Sequence, residues 1–98
     1  EDNVILTSRD KHAYCFHLKT GELLWKYNSG FRIDASPVIT RSGVLIANMR
    51  GDIILLDLKS GKAKMTYELG VPVVSNPALY KGDIIVAGMD GNVYCLGK

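Results

Sequence analysis

Long apolar runs are missing from this sequence: the longest uninterrupted ones extend over only four to six residues. A helix that crosses a bilayer needs ~20, so no membrane-spanning segment is expected. The opening Glu1-Asp2-Asn3 has neither the basic nor the apolar region of a secretory signal. An excess of one charge is missing too. Twelve Lys and Arg face ten Asp and Glu, scattered along the chain for a net charge of +2, which supplies no basic stripe for nucleic acid. The only histidines, His12 and His17, are too few and too poorly spaced to build a zinc site with Cys15. No serine lies in a nucleophile-elbow motif. No stretch concentrates acidic ligands for calcium, which takes about six to eight oxygens. What remains is an ordinary globular composition, 47% apolar and 22% charged, which argues against disorder. It carries no catalytic constellation.

The informative feature is self-similarity at a spacing of 40 residues: Val4/Val44, Leu18/Leu58, Lys19/Lys59, Gly21/Gly61, Tyr27/Tyr67, Gly30/Gly70 and Pro37/Pro77 are identical pairs. A third copy follows in the same frame through Ala47/Ala87, Met49/Met89, Gly51/Gly91 and Leu56/Leu96. Such periods mark arrays of one supersecondary unit that cannot bury its apolar face without a neighbour. Cys15 and Cys95 occupy one repeat position two periods apart. That places them beyond the ~7 Å Cα limit for a disulfide, and both are expected to be small buried thiols.

Within a period, apolar and polar residues alternate and turn residues recur every eight to twelve positions, the pattern of short strands. The first unit predicts strands over Val4–Ser8, Ala13–Leu18, Leu23–Asn28 and Ala35–Thr40. The second predicts Val44–Met49, Ile53–Leu58, Lys64–Leu69 and Ser75–Tyr80, and the third Ile84–Met89 and Val93–Leu96. No helix is predicted. Arg50-Gly51 and Asp90-Gly91 supply a glycine for the positive φ of a tight hairpin. Lys11 stands where those glycines stand, so either the same turn strains Lys11 or the loop is rearranged there. Pro37 and Pro77 fall near the start of the fourth strand of each unit. Proline tolerates only edges, strand starts and bulges, which fits the innermost strand of a radial sheet. Four strands in 40 residues, repeated, predict an all-β fold of propeller blades, each of four antiparallel strands, in a partial ring. The expected division is a partial first blade over 1–34, a second over 35–74 and a partial third over 75–98. Open blade faces favour association, so partners would be the remaining blades or further copies of the chain.

The stretch Ala13-Tyr14-Cys15-Phe16-His17-Leu18-Lys19-Thr20-Gly21-Glu22-Leu23-Leu24-Trp25 resembles the repeat of the pyrroloquinoline-quinone-like (PQQ-like) β-propellers, the quinoprotein-type family. The second copy keeps Asp57 and Ser60-Gly61 but has Met65 in place of the tryptophan, and the third keeps Asp90 to Leu96. The resemblance implies that Trp25, and Met65 after it, dock one blade on the next. It also implies that Asp57 accepts hydrogen bonds from the Ser60-Gly61 turn; His17 stands in its place in the first copy.

Three functional readings follow, the first two from that resemblance and the third from the open blade faces. In the first, the chain is a non-catalytic segment of a larger protein, a scaffold for a protein partner or a ligand-sensing domain, with no cofactor of its own. In the second it is part of a quinoprotein dehydrogenase, which would bring PQQ with calcium. In the third, short chains assemble into a closed propeller. By family habit the location would be periplasmic, cell-envelope or extracellular. Strand alternation gathers Arg9, Lys11, His12, Phe31, Arg32, Asp34, Arg50 and Asp52 on one edge of the blades. An aromatic among Arg and Lys has the composition of an interface, so these residues form the candidate interaction face. No residue is assigned to catalysis, cofactor or metal.

Overall fold

A computed structural model describes residues 3–73, 76–81 and 83–96. Among the described residues the chain is all-β, with ten strands and no helix. In chain order these are β1 (Asn3–Thr7), β2 (His12–His17), β3 (Leu23–Asn28), β4 (Val38–Thr40), β5 (Gly43–Ala47), β6 (Asp52–Leu56), β7 (Ala63–Glu68), β8 (Ala78–Tyr80), β9 (Asp83–Ala87) and β10 (Val93–Leu96). They form three antiparallel sheets in the orders β1-β2-β3, β4-β5-β6-β7 and β8-β9-β10. The repeat survives in fine detail. The register between β2 and β3 shifts at Cys15/Phe16, and that between β6 and β7 at Leu55/Leu56, the same position one period on.

β4 and β8 are shorter than the alternation predicts. Pro37 and Pro77 precede them directly and cannot donate to a ladder. The backbone ahead of β4 is satisfied by side chains instead: Thr7 Oγ1 donates to the Ala35 carbonyl at 3.0 Å, and Ser36 N–H to Asn76 Oδ1 at 2.7 Å. These bonds tie the start of the middle sheet to both neighbours. Ser75, predicted to open the last fourth strand, lies outside the described residues.

Packing follows from sheet thinness. β5 is buried along its whole length because both faces of the middle sheet are covered. Val44, Ile46, Ile54 and Leu56 meet Ile5, Ala13, Cys15 and Trp25 of the first sheet. Leu45, Ala47 and Ile53 meet Ile84 and Val86 of the third. The two terminal sheets have one uncovered face each. Leu6 and Val93 are exposed there, and so is Cys95. Cys95 therefore corrects the expectation of two buried thiols. Cys15 is sealed by the middle sheet, and burial raises its thiol pKa, whereas nothing described packs on the corresponding face of β10.

Trp25 clamps the first junction. Its ring is 8% exposed and its indole Nε1–H donates to the Leu58 carbonyl at 2.8 Å. It lies flat enough on the β6–β7 turn that a Cβ at Gly61 would collide with the ring, and Gly61 also needs φ +74°. Steric space and backbone conformation both demand glycine. Trp25→Ala is expected to lower stability by about 3–5 kcal/mol, read as a fall in the urea midpoint. Gly61→Ala should fall with it, and an unchanged midpoint in either variant would contradict this packing.

Candidate interaction face

The edge in question is built by backbone bonds that repeat with the period. Ser29 N–H donates to the Lys11 carbonyl at 2.8 Å and Leu69 N–H to the Gly51 carbonyl at 2.8 Å; Met49 N–H donates to the Arg32 carbonyl at 2.8 Å and Met89 N–H to the Pro72 carbonyl at 2.9 Å. Each hairpin turn is thus laced to the connection that leads into the next sheet. The turns share a left-handed residue: Gly51 at φ 98°, Gly91 at 86°, and Lys11 at 82°. A side chain in this region costs of order 1–2 kcal/mol. The first turn keeps the repeat geometry and strains Lys11.

The sequence-predicted face residues meet in two groups. Asp34 accepts from Arg9 Nε at 3.1 Å and lies 3.3 Å from Arg32 Nη2, so one carboxylate orients two guanidinium groups. With the arginine side chains 75% and 49% exposed, each pair contributes less than about 1 kcal/mol. Their value is positional. The Arg50 guanidinium carbon lies 5.3 Å from the centroid of the Phe31 ring, a cation–π arrangement, and Phe31 remains 42% exposed. The remaining predicted residues serve the turns. His12 Nδ1 lies 3.0 Å from the Asp10 carbonyl, and Asp52 Oδ2 accepts from Asn48 at 3.2 Å. Lys11 contributes its carbonyl to the lacing.

Asn48 was not singled out by the sequence pattern, yet it organises this edge. It is fully buried. Its Nδ2 donates to the Ser29 carbonyl at 3.1 Å and its Oδ1 accepts from Arg50 N–H at 3.1 Å and Asp52 N–H at 3.0 Å. The repeat has Ser8 and Gly88 at this position, so the internal comparison conceals it. Met89 is likewise unforeseen, 60% exposed beside the same edge.

Tyrosine–aspartate pairs lock two of the turns. Tyr14 Oη donates to Asp10 Oδ2 and Tyr94 Oη to Asp90 Oδ2. These bonds hold the Asp10 and Asp90 carboxyls below the ordinary value of 3.8 and raise both phenols above 10.0. On the opposite edge, Ser60 donates to Asp57 Oδ2 through N–H at 2.9 Å and Oγ at 3.0 Å, and the backbone bond chiefly lowers the Asp57 pKa. The equivalent turn lacks the carboxylate acceptor: it closes through Gly21 N–H to the His17 carbonyl at 2.8 Å and Glu22 N–H to Thr20 Oγ1 at 3.2 Å, and His17 Nδ1 is buried without a partner.

Asn48→Ala removes the acceptor of two part-buried backbone donors and is expected to cost about 1–2 kcal/mol in thermal unfolding, whereas Asp52→Asn should cost less because Asp52 N–H stays paired. Groups with lowered folded pKa stabilise above their unfolded value and lose that contribution as pH falls through the folded one. Stability is therefore expected to decline below about pH 3.8 through Asp10, Asp57 and Asp90, and above about pH 10 as Tyr14 and Tyr94 deprotonate. Urea midpoints across pH 2–11 for Tyr14→Phe and Tyr94→Phe should lose the alkaline limb of this profile; an unaltered limb would refute the assignment.

Five carboxylates are engaged by neighbours: Asp34 by arginines, Asp52 by Asn48, Asp10 and Asp90 by tyrosines, and Asp57 by Ser60. Among the described residues, no three of His, Cys, Asp and Glu converge on a common point.

Comparison with curated protein sequences returned no match. Among solved structures, BamB from Moraxella catarrhalis superposes with a TM-score of 0.85 at 21% identity, over 98% of this chain and 29% of that one. The quinohemoprotein alcohol dehydrogenase of Comamonas testosteroni gives 0.78 at 15% identity, over 87% of this chain and 15% of that one. A europium-containing methanol dehydrogenase gives 0.78 at 18% identity, over 97% and 21%. This chain therefore spans less than a third of each. The superpositions establish the propeller fold. The profile of one family, described as outer membrane protein assembly factor BamB, matches residues 2–97. With its 40-residue repeat, laced four-stranded unit and Trp25 clamp, the chain belongs to that family of PQQ-like β-propeller repeats.

Proposed function

We propose that this propeller segment is a non-catalytic scaffold that binds a protein partner through the edge carrying Arg9, Phe31, Arg32 and Arg50, within the cell envelope. The observation that carries the reading is the pairing of Phe31 with Arg50 on a loop edge already held by backbone lacing and Asn48. An exposed aromatic beside guanidinium groups has the composition of binding hot spots, and a rigid scaffold lets loops hold it in place. Arg9 and Arg32 share one carboxylate, so the edge keeps net positive charge for an acidic partner surface. The family description as an assembly factor, with its reference to the outer membrane, supports both the role and the location.

The test is site-specific photocross-linking in the full-length protein. A benzoylphenylalanine in place of Phe31 should capture one discrete partner, and the same group in place of Lys62, on the opposite edge, should not. Arg50→Ala should reduce the Phe31 adduct severalfold. Equal capture from both positions, or none from Phe31, would refute the reading.

A second reading, a quinoprotein dehydrogenase segment, draws on the alcohol dehydrogenase and methanol dehydrogenase superpositions. Alcohol-dependent dye reduction by the full-length protein supplied with PQQ and calcium would favour it over the scaffold.

A further inference from the structure

Cations that are scattered along the sequence are gathered by the fold. Because successive strands reverse direction, the β2–β3, β4–β5, β6–β7 and β8–β9 turns all leave the sheets at the edge opposite Phe31 and Arg50. That edge carries Lys19, Arg41, Lys59, Lys62, Lys64 and Lys81, each exposed. Three acids share it: Glu22, Asp57 and Asp83. The resulting excess of positive charge is larger than the +2 of the whole chain, so this edge holds the net charge. None of the six cations joins the ion pairs among the described residues, which link Arg9 and Arg32 to Asp34 and His12 to Asp10. Asp57 is turned to Ser60. Lys64 Nζ donates to the Ser42 carbonyl at 2.6 Å, a neutral acceptor that holds the ammonium beside Arg41 without cancelling its charge. Arg41, Lys59, Lys62 and Lys64 belong to the middle sheet, which has a neighbour on each face. Their exposure is that of a packed unit.

The geometry points to this edge as a docking surface for an anionic lipid bilayer. Three features select that partner. Five of the six cations are lysines, flexible point charges without the guanidinium fork that reads a single carboxylate or phosphate. They stand at or beside the turns of three sheets, so they spread over one side of the molecule and do not converge on a pocket. The edge offers a single large exposed ring, Tyr80, with Lys81 Nζ 5.4 Å from its centroid, whereas single-stranded nucleic acid binds by stacking successive bases on several rings. A diffuse array of unpaired ammonium groups is what the negative surface potential of an anionic leaflet attracts, each cation near the surface adding to the binding. This surface is separate from the Phe31–Arg50 edge and independent of the scaffold reading.

The test is co-sedimentation of the full-length protein with vesicles of mixed phosphatidylcholine and phosphatidylglycerol, against vesicles of phosphatidylcholine alone. Sedimentation is expected with the mixed vesicles only, and it should vanish at about 1 M salt, where the Debye length falls to ~3 Å. Lys59→Glu combined with Lys62→Glu should lower the partition coefficient at least ~30-fold. The urea midpoint of that variant should not move, because neither side chain bonds to another described residue. Lys59→Arg with Lys62→Arg should retain binding. Lys11→Glu with Arg50→Glu makes the same change in net charge on the opposite edge, a strand length of ~17–20 Å away. That distance exceeds the ~8 Å Debye length at physiological salt, so the loss there should stay under ~3-fold. Equal sedimentation with both vesicles, adsorption that survives high salt, or equal losses from the two charge-reversed pairs would each overturn the proposal. So would displacement from the vesicles by polyglutamate at equal charge concentration, which would assign the edge to an acidic protein segment.

Discussion

The structure depends on one constraint: a sheet of three or four short strands cannot shield its own apolar face, so every sheet must be clamped to the next. β5 expresses the constraint in its side chains. Val44 and Ile46 are given to one neighbour, Leu45 and Ala47 to the other, and all are within 1% of full burial. Such packing creates cores between units, not within them, and makes stability a sum over neighbouring pairs. At the first junction Trp25 contributes both halves of a clamp. Its ring area is buried, and its one polar atom finds a carbonyl across the junction, as a buried indole requires. Gly61 is then dictated by its neighbour as much as by its own backbone.

This packing covers both faces of the middle sheet, so what that sheet presents is its edges. The two edges are made differently. On one, Asp57 and Ser60 close a compact turn whose polar groups satisfy each other. On the other, the hairpins are laced to the inter-sheet connections, and Asn48 satisfies backbone groups from both. That arrangement uses up the acidic groups and leaves Arg9, Arg32, Arg50 and the Phe31 ring presented. The scaffold thus generates a cationic, aromatic edge from a chain with nearly balanced charge.

Much of this was legible before any coordinates because the repeat constrains sequence and structure alike. The 40-residue period, the strand order and the left-handed Lys11 follow from comparing one copy with the next, and the turn role of Asp57 from the family resemblance. Where the copies disagree, that comparison loses force. Asn48 has Ser8 and Gly88 as counterparts, so its buried hydrogen bonds left no periodic trace. Equivalence to Cys15 predicts a buried Cys95, but burial belongs to the junction and not to the residue. The alternation overextends β4 because it continues through Ala35-Ser36-Pro37, where side chains, not a ladder, take the hydrogen bonds. Of the face residues, Phe31, Arg9, Arg32, Asp34 and Arg50 group as charge and aromaticity suggest, while His12 and Asp52 are absorbed by their own turns.

The same logic says where individuality resides in a repeat protein. Positions that keep the period maintain the sheets and turns, and a substitution there is answered by the neighbouring unit. Positions that break it are released from that duty or carry a local one. Arg9 gives way to Met49 and Met89, Phe31 to Val71, and Trp25 to Met65. The first two changes turn one region of the shared edge cationic and aromatic and the adjoining region apolar. The third replaces a ring that fills a junction and donates across it with a slimmer side chain that has no N–H to give. All three departures alter what the surface or the junction can receive without altering strand order or register. Function in this chain is therefore best sought in the differences between its copies, since their similarities are already accounted for by the need to stack.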